Sequence, residues 1–149
     1  MADLNLNIET GEKTFTINED PNKLLKFNPG DYNIMSRFYE VKDILKKEMD
    51  ALNPESKINE DGTVPNDSED FAKSIKKFDA LIREKIDYIF GYAVSDIVFG
   101  TVNPLSTVGG IPYFERFFNA VIPFIEKELN AEVKKSEKKM AKYTAKYHK

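Results

Sequence analysis

The chain has 149 residues and a mass of 17.1 kDa, which fits one domain, and a domain near that length buries roughly 68–70% of its unfolded surface. Hydrophobic residues at 41% and aromatics at 12% are ample for a core, so the 32% of charged residues reads as solvated surface and not as disorder. The absence of cysteine excludes disulfides, thiolate nucleophiles and Cys-ligated metals; the single histidine, His148, excludes sites built on several imidazoles and argues against Ser-His-Asp chemistry.

The expectation is therefore a mostly helical, non-enzymatic protein with no cofactor and no metal. The start Met1-Ala2-Asp3-Leu4-Asn5 has neither a positive n-region nor an apolar h-region, and no stretch approaches the ~18 apolar residues of a membrane span. An intracellular protein is expected. Asn66-Asp67-Ser68 matches a glycosylation sequon, which has no physical meaning without a secretory route.

Leu4, Leu6 and Ile8 alternate with polar residues, and after Thr10-Gly11-Glu12 the alternation resumes at Phe15 and Ile17, which predicts a hairpin turning at Gly11. A lone hairpin is marginal in water, so Lys23 to Phe27 is expected to add a third strand after an Asp20-Pro21 turn. Asp31 is placed to cap a helix whose stripe runs Ile34, Phe38, Val41, Leu45, Met49, Leu52 and stops at Asn53-Pro54. The polar segment Glu55 to Asp67 reads as a loop. Ser68, followed by Glu69 and Asp70, opens a second helix with a wide stripe from Phe71 to Phe90, and Gly91 ends or bends it.

Tyr92 to Phe99 predicts a short helical stretch closed by Gly100, and Asn103-Pro104 to Gly109-Gly110 a turn-rich connection. Pro112 suits the first position of a last helix carrying Phe114, Phe117, Phe118, Val121, Ile122, Ile125 and Leu129. Pro123 lies inside it and predicts a kink or break near Asn119 to Val121. From Lys134 to Lys149 there are seven lysines and one acid, a local charge of +6, so the rest of the chain carries −9 against a net −3. These patterns give an α+β, mostly helical fold: a small N-terminal β-hairpin or three-stranded sheet packed on a helical bundle. Residues 1–133 form one domain, and 134–149 a basic C-terminal helical arm.

Motifs with chemical meaning fail on inspection. Lys57 to Ser68 sets Asn59, Asp61 and Gly62 in an EF-hand register, but lysine occupies the first ligand position and serine the twelfth, where a bidentate Glu is required. Thr107-Val108-Gly109-Gly110 lacks the Lys-Ser/Thr of a phosphate loop. Glu84, Asp87, Asp96 and Glu115 look like polar-face residues of amphipathic helices and not a catalytic pair.

Two features point to binding. The aromatic run Tyr113, Phe114, Phe117, Phe118, Phe124 covers more than one helix face, and is either core or an oligomer interface. The edge strand Leu4, Leu6, Ile8 has no lysine or proline to discourage pairing, so a homo-oligomer is expected. The arm, with Lys135, Lys138, Lys139, Lys142 and Tyr143, reads as a solvated helix end, a protein-docking arm, or a nucleic-acid contact. The last is disfavoured, because the arm has no arginine to read bases and the protein is acidic, with a pI of about 5.3.

The order of phrases Phe27-Asn28-Pro29-Gly30-Asp31, Arg37-Phe38-Tyr39, Ile89-Phe90-Gly91, Val98-Phe99-Gly100 with Asn103-Pro104-Leu105, Phe117-Phe118-Asn119-Ala120 with Ile122-Pro123, and the lysine-tyrosine tail resembles small proteins encoded beside tail genes of long-tailed phages and prophages of Gram-positive bacteria, grouped with tail assembly chaperones. The resemblance covers nearly the whole chain. It implies a non-enzymatic helper in the host bacterial cytoplasm that binds the tape measure protein, the tail tube protein or both, and it brings no catalytic residues. The alternative of another class is a small phage nucleic-acid accessory protein that uses the lysine-rich arm.

Overall fold

A computed structural model describes residues 3–52 and 68–147. The polar loop expected from Glu55 to Asp67 lies outside the described residues, as does His148. In chain order the elements are β1 (Lys13–Ile17), β2 (Asp20–Phe27), α1 (Tyr32–Leu52), α2 (Ser68–Phe90), α3 (Ser95–Phe99), β3 (Thr107–Val108), β4 (Ile111–Pro112) and α4 (Tyr113–Tyr147). The fold is mostly helical α+β, with a small antiparallel hairpin against a helical bundle.

The hairpin is not the one that the alternation predicts. β1 pairs with β2, and the Leu4 to Ile8 segment belongs to no strand. Turn chemistry explains the shift. Asn18 and Glu19, at φ 53° and 62°, form a two-residue loop flanked by the Ile17–Asp20 pair, whereas Gly11 does not turn the chain back on itself. Between Thr16 and Ile17 the register slips, and the extra residues Pro21 to Lys23 bulge from β2, where the missing amide of Pro21 costs no ladder bond. Leu25 and Phe27 are buried, and Phe15 and Ile17 half-buried, on the face turned to the helices.

Asp31 caps α1 as expected, its Oδ1 accepting from the Asn33 amide at 2.8 Å. The stripe Ile34, Phe38, Val41, Leu45 of α1 meets Phe78, Ile82, Ile86, Ile89 of α2 in the core. At the end of α2, Gly91 at φ 82° donates to the Asp87 carbonyl and reverses the chain. The predicted helix from Tyr92 is shorter, starting at Ser95, whose amide donates to Asp87 Oδ1 at 2.7 Å. A carboxylate one helix away thus caps α3, for which the preceding Val94 offers no side-chain acceptor.

Arg83 closes the other end of α3. Its guanidinium donates to Asp79 at 2.8 Å, Asp96 at 3.1 Å, and the carbonyls of Gly100 at 3.0 Å and Val102 at 2.9 Å. One planar fork satisfies two carbonyls and two carboxylates because its donors point in fixed directions. Gly109 and Gly110, at φ 60° and 79°, then turn the small β3–β4 hairpin, which the sequence pattern does not reveal.

The first amides of α4 are taken by this connection: Tyr113 donates to the Ser106 carbonyl at 2.9 Å and Phe114 to that of Pro104 at 3.0 Å. α4 then runs through Pro123 to Tyr147 as one helix, so of the expected kink or break the break does not occur. Asn119, whose carbonyl loses its intrahelical donor, is exposed to water, and Val121 and Ile125 are buried on either side of the proline. Packing therefore holds the helix together where its hydrogen bonding lapses. Aromatic rings tie the elements: Phe15–Phe27 at 5.0 Å, Phe27–Phe90 at 5.2 Å, Phe38–Phe90 at 5.8 Å and Phe38–Phe118 at 5.1 Å join β1 and β2 to α1, α2 and α4.

Candidate functional site

The interface candidates divide sharply. Phe114, Phe117 and Phe118 lie in the chain's own core, where Phe118 is in ring contact with Phe38, Phe114 and Phe117. Of that aromatic run, Phe124 is the residue turned half to solvent, over a groove of about 170 Å³ between the hairpin and α4. Leu4, Leu6 and Ile8 are exposed, on a segment outside any strand or helix. The structure does not bring the N-terminal, aromatic and lysine groups into one site.

Lys135, Lys138, Lys139 and Lys142 are exposed on the second half of α4, and Tyr143 falls within the same helix. That half projects past the core. Leu129 is the last residue of α4 packed against it, and residues 130–147 extend about 27 Å further at the helical rise. Val133 and Met140 are exposed there. Counted from Leu129, the positions 133, 136, 140, 143 and 147 recur at steps of four and three, a heptad seam with Ser136 as its polar member. The regular spacing of Val133, Met140 and the tyrosines after Leu129 is legible in the sequence, where it reads as too little apolar surface to order the arm by packing alone.

A second groove, of about 350 Å³, runs between α1 and α4. Met49, Phe114 and Phe118 reach its floor, and Lys42, Lys46, Asp50 and Glu115 its rim. The mixed rim charge favours no one ligand. Among the described residues no group of three or more His, Asp or Glu could hold a metal ion, and no helix is long and apolar enough to cross a membrane.

The electrostatics are mild. Glu128 accepts from Lys13 Nζ, and this bond holds its carboxyl below the usual value; partial burial opposes the shift, while the charges of Lys13, Lys135 and Lys127 reinforce it. The contact fastens β1 to α4 just before the helix leaves the body. Arg116 braces the fold: it donates to the carbonyls of Ile111 at 3.2 Å and Ser106 at 3.1 Å while stacking 4.8 Å over Tyr113. Compared with known proteins, the chain matches no family model, no curated protein and no solved structure.

Proposed function

We propose that the chain is a non-enzymatic, tail assembly chaperone-like protein of phage origin that binds the tape measure protein, the tail tube protein or both in the host bacterial cytoplasm. One observation carries the reading: a helix rooted in the core projects an exposed seam, Val133 and Met140, between lysine-rich flanks. Such a seam is too narrow to form a core alone and suits pairing with another amphipathic helix, and the flanking charge favours an acidic partner. The sequence phrases that resemble those of tail assembly chaperones support the same class of partner, a long and helical one.

Co-expression with the tape measure and tail tube proteins of the same genome is the test. The intact chain should co-purify with at least one of them, and the pair Val133→Asp and Met140→Asp should abolish capture without altering the circular dichroism of the body. Failure to retain either protein from a soluble co-expression would overturn the reading.

The lysines favour a second reading, an accessory protein that contacts nucleic acid. If all seven lysines of residues 134–149 met duplex phosphates, affinity would fall with salt at a log–log slope of up to roughly −6. We expect instead no binding of duplex or single-stranded DNA tighter than about 10⁻⁴ M at low salt, measured by anisotropy of labelled oligonucleotides.

A further inference from the structure

Leu4, Leu6 and Ile8 are 92%, 85% and 76% exposed on a segment outside any strand or helix. Three large apolar side chains at period two match one face of a strand, yet the segment belongs to no strand and no sheet. Its base is fixed. Asn28 Nδ2 donates to the Thr10 carbonyl at 2.9 Å, while Asn28 Oδ1 accepts from the Gly30 amide at 2.8 Å. At Gly11 the backbone adopts φ 75°, and a Cβ there would come within 3.0 Å of Asn28 Oδ1. The chain therefore enters β1 from an anchored corner, without folding back along it.

β1 offers the complementary half. It pairs with β2 on one side and, among the described residues, with no strand on the other. The alternation of its ladder can be read from β2. There the Lys26 amide donates to the Tyr92 hydroxyl at 2.9 Å and the Lys26 carbonyl accepts from it at 2.9 Å, so both groups point away from β1. Thr14, opposite Lys26, and Thr16, two residues on, accordingly turn their amides and carbonyls away from β2. Tyr92 closes the outer edge of β2 at Lys26, whereas the edge of β1 stays open. Beside it lies the groove lined by Phe15, Ile17 and Val121, where Phe124 remains 50% exposed.

We propose that residues 4–9 of one copy add as an antiparallel strand to the β1 edge of a second copy, and reciprocally. The partner is a second copy because donor strand and acceptor edge occur on the same chain, so a two-fold pair completes both at once. The register that keeps the apolar faces together sets Ile8 against Phe15 and Leu6 against Ile17, over Phe124. Asn7 then lies opposite Thr16, whose outward backbone groups supply the ladder bonds. This pairing is independent of the helper role argued above.

The chain has no cysteine, so a cross-link is clean. Mixing Asn7→Cys copies with Thr16→Cys copies under mild oxidation should give a covalent dimer, and Asn7→Cys with Glu48→Cys, an exposed position on α1, should not. Light scattering at high micromolar concentration should give twice the chain mass. Deletion of residues 3–9, or Leu6→Lys, should halve it with the helical circular dichroism retained. A strict monomer, or a dimer that survives the deletion, overturns the proposal. So does a chain carrying both Asn7→Cys and Thr16→Cys that closes only within the monomer, since the segment would then pair with its own β1.

Discussion

The two halves of α4 share one secondary structure and owe it to different causes. From Tyr113 to Leu129 the helix presents Phe114, Phe117, Phe118, Val121 and Ile125 to the core, and loop carbonyls take its first amides. From Glu132 to Lys142 every described side chain is exposed, and support comes from helix-forming Ala, Lys and Glu and from an exposed pair, Lys135 with Glu132 at 3.6 Å. An isolated helix of that length is marginal in water because its first turn is costly to nucleate. The first half supplies the nucleus and the second propagates from it. A helix can thus be built by packing at one end and merely continued at the other, which leaves the continued end free to bind.

The most direct way to break the comparison is to truncate one apolar residue in each half. Phe118→Ala removes a ring packed against Phe38 at 5.1 Å and Phe114 at 5.9 Å, and should cost about 3–5 kcal/mol of unfolding free energy in urea. Met140→Ala, at an exposed position, should stay within about 0.5 kcal/mol. Similar losses from both would mean that the second half is packed against something.

Next in size is Arg83→Lys. The substitution keeps the charge but loses the fork that reaches the Gly100 and Val102 carbonyls together with Asp79 and Asp96. It should cost about 1–3 kcal/mol, and loosen α3 and the loop behind it, where amide exchange should quicken first. Unchanged exchange at Val98 to Val102 would show that this network does not hold the segment.

These elements also mark how far periodicity alone can be read. Both long central helices and the Asp31 cap were legible, because a period of 3.6 with punctuation at Asp31, Ser68 and Gly91 admits few other folds, whereas the aromatic run of α4 stayed open between core and interface until packing placed Phe114, Phe117 and Phe118 in the core. The N-terminal hairpin was misplaced. Alternation says that Leu4, Leu6 and Ile8 can lie in a sheet, but it does not choose their partner, and the choice was made by Asn18 and Glu19 turning β1 onto β2. Arg83, Tyr92 and Asp87 were illegible as organisers, since their partners lie on other elements or on backbone beyond the next turn.

Deleting Lys135 to Lys149 sharpens the comparison from the other side. Because every described side chain from Lys135 to Lys142 is exposed, the melting temperature should move by no more than about 2–4 °C, the equivalent of ~1 kcal/mol for a chain this size, while capture of the helical partner should fail. Loss of the cooperative transition would instead place the second half in the core.

The smallest effect is expected where the two halves meet. Glu128 stands one residue before Leu129, and its bond from Lys13 is the last tie between hairpin and helix before the seam begins. Its carboxyl is held below the ordinary value of 4.5, mainly by that bond. A carboxyl depressed in the folded state contributes stability above its unfolded value, and that contribution is lost as pH falls through the folded one. The pair should therefore count at neutral pH and fade in acid below about 4.5. It lies at the surface, so added salt should weaken it as well. Lys13→Gln should return the Glu128 titration toward the ordinary range, followed by carbon-detected NMR of the carboxyl, and flatten the corresponding acid limb of stability. Identical titrations in the two proteins would mean that hairpin and helix are not tied there, and that α4 parts from the body one turn earlier than its packing indicates.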